Sequence, residues 1–255
     1  MTLEQVLERI PPLDAEAMAQ AKQHWDALAK PLHGLGDLED ILIRIAGICR
    51  TPRIDLRNKA VVVMCADNGV VAEGISQSGQ DVTQIITENL GKGTSTVCHM
   101  ARAAGADVIP VDIGVASDIH GSGVVHRKIA RGTHNFAKQP AMSRDQAVQA
   151  IGVGIETALM CRQHGYDVVA TGEMGIGNTT TSSAVLAVLL GADVEAVTGR
   201  GGGITEESFR KKKAVIRTAS EVNRPDRDDV VGVLSKVSGF DLAAMCGAFL
   251  GAAAA

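Results

Sequence analysis

The chain has 255 residues, of which 45% are hydrophobic, 21% are charged and only 2% are aromatic. This composition indicates one large globular domain or two modest ones, with a core built from aliphatic side chains. The net charge of −4 and the lack of a basic block in the sequence exclude a nucleic-acid binder that depends on backbone charge.

The sequence carries no sign of export or of a membrane span. The first ten residues are amphipathic and acidic, unlike a signal peptide. No stretch reaches the roughly 18 apolar residues of a membrane helix. Five scattered cysteines form no Cys-x-x-Cys pair, as is typical of reduced thiols. We therefore predict a cytoplasmic protein with no membrane partner.

The first half of the chain opens with helices and then enters a sheet. The run Lys59-Ala-Val-Val-Val-Met-Cys-Ala66 predicts a buried central strand because it is apolar and β-branched. A long polar loop, residues 67–80, follows it. Helices are predicted over residues 3–10, 14–30, 37–49, 81–90 and 94–104.

The second half alternates strands with helices. Strands are predicted over 107–113 and 167–170, with 123–130 as a third strand or an edge ribbon. Helices are predicted over 143–164, 182–190, 205–222 and 242–255. This order predicts an α/β fold with a mostly parallel sheet covered by helices on both faces.

Two domain assignments follow from this order of elements. Residues 1–50 are predicted to be a helical segment, part of a small subdomain, and residues 51–255 the α/β domain. The last predicted helix reaches Ala255 without a cap or a polar tail, so we expect the natural chain to continue beyond it.

The segment Thr171-Gly-Glu-Met-Gly-Ile-Gly-Asn-Thr-Thr-Thr181 is the strongest candidate for a site. It joins a strand to a helix through glycines, and a helix N-terminus after such a turn binds anions. Glu173 stands at the carboxyl end of the strand, where open α/β sheets bind ligands. Two alternatives remain: a truncated dinucleotide fingerprint in which Thr180 replaces the third glycine, and a tight turn with no ligand.

Other polar segments suggest weaker sites. The loop Gly74–Gly79 has the glycine spacing of a P-loop without its lysine, but its Gln77 and Ser78 suit a neutral heterocycle. A lysine of the run 210–213 is expected to reach an anion held by the glycine segment. Asp67 and Asp112 either face the same crevice or organise loops. The histidines lack metal-ligand spacing, so no metal site is predicted.

Together, several motifs resemble the nicotinate-nucleotide–dimethylbenzimidazole phosphoribosyltransferase family, over a stretch from about Asp14 to the end of the chain. They are Cys65-Ala-Asp-Asn-Gly69, Val111-Asp-Ile-Gly114, Ala141-Met-Ser143, Gly172-Glu-Met-Gly-Ile-Gly-Asn-Thr-Thr180, Asn223-Arg-Pro225 and Lys236-Val-Ser-Gly-Phe-Asp241. The resemblance implies a Rossmann-like domain with a small helical domain, a homodimer, and a reaction that needs no metal or other cofactor. It also implies transfer of a phosphoribosyl group from nicotinate mononucleotide to 5,6-dimethylbenzimidazole, giving α-ribazole 5′-phosphate and nicotinate for cobalamin.

The resemblance assigns roles to individual residues. Glu173 is the candidate catalytic residue, which stabilises an oxocarbenium-like ribose or grips its hydroxyls. The base is expected to contact Ser78, Ile86 and Met174. Phosphate and ribose are assigned to Gly175, Ile176, Gly177, Asn178, Thr179, Thr180, Gly201 and Lys212.

One part of the family's machinery has no counterpart in the sequence. The family places a glutamate general base in a glycine-rich motif near its C-terminus, and this base is expected beyond Ala255. Alternatives are a non-catalytic nucleotide-binding homologue, a member that uses a purine or a phenol, and, more weakly, an NAD-dependent oxidoreductase. The purine or phenol alternative follows from Ile86, which replaces a polar residue of some members.

Overall fold

A four-stranded parallel sheet forms the centre of the computed structural model, which describes residues 2–255. The strand order is β3-β2-β1-β4, and every neighbouring pair is parallel. The strands are β1 (Lys59–Ala66), β2 (Ala106–Gly114), β3 (Val125–His126) and β4 (Val168–Met174). This confirms the predicted α/β class, and the order matches the first four strands of a Rossmann sheet.

Helices cover both faces of this sheet. They are α1 (Leu3–Arg9), α2 (Ala15–Asp26), α3 (Asp37–Cys49), α4 (Asp81–Gly91), α5 (Thr96–Ala103), α6 (Arg144–Gln163), α7 (Asn178–Leu190), α8 (Val194–Val197), α9 (Glu206–Asn223), α10 (Val230–Val237) and α11 (Phe240–Ala254). Side-chain caps fix several of their starts. Asp14, Ser143 and Thr205 each accept a hydrogen bond from a backbone N–H of the first turn.

The two sheet faces are packed differently. Val62, Met64 and Ala66 of β1 belong to the large core with residues of α6 and α11. Val63 and Cys65 point the other way, into a smaller apolar cluster that includes residues of α4 and α5. This alternation follows from the two-residue period of a strand. It places Glu173, the partner of Met64, on the α11 side and Met174, the partner of Cys65, on the α4 side.

The N-terminal helices pack in two ways. α1 packs on α11 and α6, whereas α2 and α3 pack on each other as a hairpin. Several apolar side chains of that hairpin and its connection are exposed: Leu28, Leu32, Leu35, Leu38, Ile41 and Ile48. The division at residue 50 stays a prediction.

The structure differs from the predicted elements mainly around the glycine segment. β4 continues to Met174, and α7 begins at Asn178 instead of residue 182. Three threonines fit in the first turn because Thr181 Oγ1 donates to the Asn178 carbonyl at 2.7 Å, so its hydroxyl is satisfied within the helix. β3 has only two residues, and α10 was not predicted. No helix within residues 2–255 has the length and apolarity to cross a membrane.

Candidate active site

The carboxyl ends of β1 and β4 meet at one corner of the sheet. The chain leaves β1 toward β2 on one side, whereas β4 lies on the other side of β1. Open α/β sheets bind ligands at such a reversal of strand order, outside the carboxyl ends. At this corner β1 ends next to Asp67 and Asn68, and β4 leads through the glycine turn Gly175–Gly177 into α7.

Glycine is required at Gly175 by a close backbone contact and at Gly177 by the backbone conformation. A Cβ on Gly175 would overlap the Ala66 carbonyl oxygen, and Gly177 has φ +96°, which favours glycine. Between them, the Ile176 N–H donates to Thr83 Oγ1 at 3.1 Å, and Thr83 is fully buried. The turn is therefore held rigidly while it aims the N-terminus of α7 into the crevice.

Lys212 is the most informative charged residue of the corner. Its side chain reaches the start of α7, where Nζ donates to Thr179 Oγ1 at 2.7 Å and to the Gly199 carbonyl at 3.0 Å. The residue is only 2% exposed, and burial lowers its pKa to about 8. None of the ion pairs formed within residues 2–255 includes Lys212. A buried ammonium beside a helix N-terminus, with no carboxylate partner, is suited to an anion.

A cavity of about 190 Å³ lies directly against this lysine. This volume is smaller than the roughly 300–1,000 Å³ of pockets that enclose drug-sized ligands. The cavity is therefore suited to a small group such as a phosphate. The loop of Gln77 and the loop of Gly203 meet beside it, since Gln77 Nε2 donates to the Gly203 carbonyl at 3.1 Å. Its lining comprises Ile75, Ser76, Gln77, Ser78, Ile176, Gly177, Asn178, Thr179, Thr180, Arg200, Gly202, Ile204 and Lys212.

Glu173 lies behind the glycine turn and does not line this cavity. Asn178 Nδ2 donates to Glu173 Oε2, while Asn178 Oδ1 accepts from the Thr179 N–H at 2.7 Å. Burial raises the pKa of Glu173, and the Asn178 hydrogen bond opposes that effect. Asn178 therefore orients the carboxylate of Glu173 relative to the first turn of α7.

Most of the residues singled out in the sequence converge on this corner. A Cβ on Gly201 would lie 2.7 Å from Thr179 Oγ1 and 3.5 Å from Lys212 Nζ, which places that glycine against the cavity wall. Ser78 lines the same cavity as Thr180 and Lys212.

Two residues predicted to contact the base lie on the opposite face of the sheet from Glu173. Ile86 and Met174 are half-buried and pack with Val115 and Ile119 in the smaller apolar cluster. They form an apolar wall next to the site.

The three threonine hydroxyls at the start of α7 do not all face the anion site. Thr179 faces Lys212, and Thr180 lines the cavity with a buried hydroxyl that has no partner. Thr181 is buried and donates to the helix backbone instead. The physical reason is that a side chain two positions along a helix from Thr179 points to a different face.

Asp67 and Asp112 organise a loop, the simpler of their two predicted roles. Asp67 Oδ2 accepts from the Ala116 N–H at 2.8 Å, and Asp112 Oδ1 accepts from the Val115 N–H at 3.0 Å. Across residues 2–255, no group of three or more His, Cys, Asp or Glu side chains is arranged to hold a metal ion.

Four residues of the corner were assigned no role from the sequence. Arg200 lines the cavity, Thr83 holds the turn, and Asn68 and Asp241 form a buried hydrogen-bonded pair beneath it. Arg200 lies in the loop Gly199–Gly203, and Asn68 and Asp241 lie in motifs that carried the family resemblance. The motifs thus contained these residues, but nothing in their spacing indicated a role for them.

Comparisons with known proteins agree with this geometry. A family model described as Phosphoribosyltransferase matches residues 10–255. The chain is 43% identical over 251 residues to a nicotinate-nucleotide–dimethylbenzimidazole phosphoribosyltransferase of Clostridium tetani, covering 98% of this chain and 69% of that protein. It is 45% identical to the enzyme of the same name from Ruminiclostridium cellulolyticum, covering 100% of this chain and 72% of the relative.

A solved structure shares the fold as well. The crystal structure of CobT from Thermus thermophilus superposes with a TM-score of 0.88 at 38% identity. The match covers 92% of this chain and 71% of that one.

Proposed function

Because this chain belongs to the nicotinate-nucleotide–dimethylbenzimidazole phosphoribosyltransferase family, we propose that it transfers the phosphoribosyl group of nicotinate mononucleotide to 5,6-dimethylbenzimidazole. The products are α-ribazole 5′-phosphate and nicotinate, and the nucleotide serves as the lower ligand of cobalamin.

The buried ammonium of Lys212 is the observation that carries this proposal. It faces the N-terminus of α7 across the cavity, and its hydrogen bonds within the protein go to a hydroxyl and a carbonyl. A 5′-phosphate placed there accepts from Lys212 and from the buried hydroxyl of Thr180, beside the N-terminus of α7. The remaining proposed contacts, Gly175, Ile176, Gly177, Asn178, Thr179 and Gly201, shape this cradle.

The chemistry then needs little acid catalysis. The nicotinate ring leaves from a pyridinium, so the glycosidic bond breaks with its electron pair passing to a ring nitrogen that is already positively charged. The anomeric carbon becomes cationic, and the Glu173 carboxylate stabilises it electrostatically. The incoming base forms the new C–N bond and loses the proton of its other nitrogen to a general base.

The incoming base is proposed to lie between Ser78 and the apolar wall of Ile86 and Met174. An apolar side chain at Ile86 offers no hydrogen bond to a polar base edge, so a benzimidazole is favoured. Comparing initial rates with dimethylbenzimidazole, adenine and phenol tests this. A faster rate with adenine or phenol would establish the alternative base class.

A direct assay separates catalysis from mere binding. The full-length protein is incubated with nicotinate mononucleotide and dimethylbenzimidazole, and nicotinate and α-ribazole 5′-phosphate are quantified by chromatography. We expect both products, with Glu173→Gln slower in turnover but similar in nucleotide binding. Nucleotide binding without nicotinate release would instead identify a non-catalytic homologue.

The proposal includes a cytoplasmic homodimer. The exposed apolar side chains of the α2–α3 hairpin are a surface that a second copy can cover. Leu38 and Ile41 are 50% and 54% exposed, so Leu38→Glu with Ile41→Glu should give monomers by light scattering. The control is Leu190→Glu, at an exposed leucine of α7. An unchanged dimer in the hairpin variant, or a monomeric unsubstituted chain, would contradict this assignment.

A further inference from the structure

Asn68 lies directly beneath the glycine turn. The residue is fully buried at the end of β1. A Cβ on Gly175 would stand 3.1 Å from Asn68 Nδ2, and one on Gly177 would stand 3.2 Å from Asn68 Cβ. The Asn68 side chain therefore sets the height of the turn above the sheet.

Asp241 holds Asn68 from the other side. It lies in the first turn of α11 and is fully buried, and its Oδ2 accepts from Asn68 Nδ2 at 3.3 Å. Its Oδ1 accepts from the Leu242 N–H at 2.9 Å. A Cβ on Gly239 would overlap both Asp241 Oδ1 and Asn68 Oδ1, so glycine there lets the two side chains meet.

A buried carboxyl group without a cationic partner needs an explanation. Asp241 forms none of the ion pairs found within residues 2–255. Two titratable side chains are coupled to Asp241: Glu173 of β4, and Cys65 of β1, whose pKa burial raises to about 12 so that it is neutral. Asp112 of β2 pairs with Cys65 and points to the opposite sheet face from Glu173. α6 and α1 present apolar side chains to the same core, such as Ala147 and Val6.

Two neighbouring buried carboxyl groups do not both ionise easily. Burial first, and the Glu173 carboxylate second, raise the pKa of Asp241 to about 7. Both carboxyl groups accept hydrogen bonds, but Asp241 is fully buried whereas Glu173 is half-buried, so burial favours the neutral form more strongly at Asp241. The environments therefore favour a neutral Asp241 beside an ionised Glu173.

We propose that Asp241 is a positioning residue: as a neutral carboxylic acid it fixes Asn68 under the Gly175–Gly177 turn and leaves the negative charge of this corner on Glu173. This inference rests on the proposed function, because the charge on Glu173 is what stabilises the cationic ribose. Glu173 works only if the turn holds the ribose at the right distance, so Asp241 acts on catalysis through Asn68.

The test compares three substitutions at one position. Asp241→Asn keeps the size, the neutrality and an acceptor oxygen, so we expect kcat within about threefold of the unsubstituted protein. The acceptor oxygen is lost in Asp241→Ala and in the near-isosteric Asp241→Leu. We expect kcat of both variants to fall about 10–100-fold, because the turn then misplaces the reacting ribose. The dissociation constant of nicotinate mononucleotide should change less than about fivefold, because the Lys212 contact remains.

A second arm tests the path through Asn68. Asn68→Ala should lower kcat as Asp241→Ala does, and the double variant should be no worse than either single one, because the residues act as a unit. Full additivity would overturn the proposal, as would equal loss in Asp241→Asn and Asp241→Ala. Thermal unfolding confirms folding of each variant, and Asp241→Leu covers the case in which a cavity destabilises Asp241→Ala.

A third measurement is independent of activity. Carbon-13 NMR of the side-chain carboxyl of Asp241, assigned by its loss in Asp241→Asn, reports its protonation directly. At pH 6 we expect the signal of a protonated carboxyl for Asp241 and of a carboxylate for Glu173. An ionised Asp241 would overturn the proposal even in an active enzyme. If the unsubstituted full-length protein releases no nicotinate, the proposed function fails, and this spectrum still decides the state of Asp241.

Discussion

At the scale of single residues, the site depends on charges held away from water. Lys212 is nearly inaccessible and is matched to oxygen acceptors, whereas Glu173 is tethered by Asn178 a few residues along the chain. Burial shifts both groups toward their neutral forms. The negative charge of a bound phosphate favours the charged form of Lys212. Substrate affinity is therefore coupled to the protonation of Lys212.

Nucleotide binding should therefore weaken at high pH. Burial lowers the pKa of Lys212 to about 8, and a bound phosphate favours its charged form. Binding above pH 8 thus requires uptake of a proton, and the dissociation constant of nicotinate mononucleotide should rise up to about tenfold per pH unit. Calorimetric titration between pH 6.5 and 9.5 measures it.

Two variants control for other titrating groups. Lys212→Arg keeps its charge throughout, so its affinity should stay flat over the same range. Lys212→Met should bind about 10–100-fold more weakly at pH 7, the loss of a hydrogen bond to a charged group of about 1.5–3 kcal/mol. Parallel pH curves for the unsubstituted protein and the Lys212→Arg variant would show that another group is responsible.

At the scale of elements, the contact between α6 and α11 fixes the layer beneath the site. A Cβ on Gly154 would overlap the Ala244 carbonyl, and one on Gly247 would overlap the Ile151 carbonyl. The helix backbones therefore touch at these glycines, which lets α11 start with Asp241 directly below β1 and β4. Helix propensity alone disfavours glycine inside a helix, so packing has overridden it.

Gly247→Ala should destabilise the fold. The added methyl group forces the two helices apart, at a cost of about 1–3 kcal/mol or more. The matched control is Gly152→Ala on α6, where a Cβ would meet no atom within 4 Å. That change should stabilise the protein by about 0.5–1 kcal/mol through helix propensity. Urea unfolding gives both values, and similar effects of the two substitutions would rule out backbone contact as the cause.

At the scale of the whole molecule, the fold places two buried carboxyl groups and one half-buried carboxyl group around one sheet corner. Burial raises the pKa values of Asp67, Glu173 and Asp241. β4, which carries Glu173, is adjacent to β1, which Asp67 follows, only because β4 lies on the side of β1 opposite β2. The same topology that creates the crevice thus concentrates proton-binding groups in the native state.

Part of the stability should therefore decrease as pH rises. The pKa of Asp241 is about 7 in the folded protein and near its ordinary value of 3.8 when unfolded, so the native state binds more protons between these values. The free energy of unfolding falls with pH over that window. Asp241→Asn removes the effect. We expect the difference in unfolding free energy between the two proteins to vary across pH 4–7 in urea titrations, and a constant difference would contradict the assigned shift.

The sequence by itself determined the local structure and the class of reaction. The apolar run of β1 predicted its bounds at Lys59 and Ala66. The helices predicted to start at residues 14 and 143 do start there, with Asp14 and Ser143 as their N-caps, because strand runs and caps depend on neighbouring residues. The glycine segment predicted a strand, a turn and a helix N-terminus for the same reason, although the helix starts earlier than expected.

Only the tertiary structure decided which distant groups share the corner. Lys212 meets Thr179 across 33 positions of the chain, and Asp241 meets Asn68 across 173. Asp67 and Asp112 looked equally suited to a crevice, yet both bond a loop backbone. Burial and hydrogen-bond partners set a carboxyl group's charge, and both depend on how strands and helices pack. The sequence therefore located the glycine turn, and the fold determined which charges lie around it.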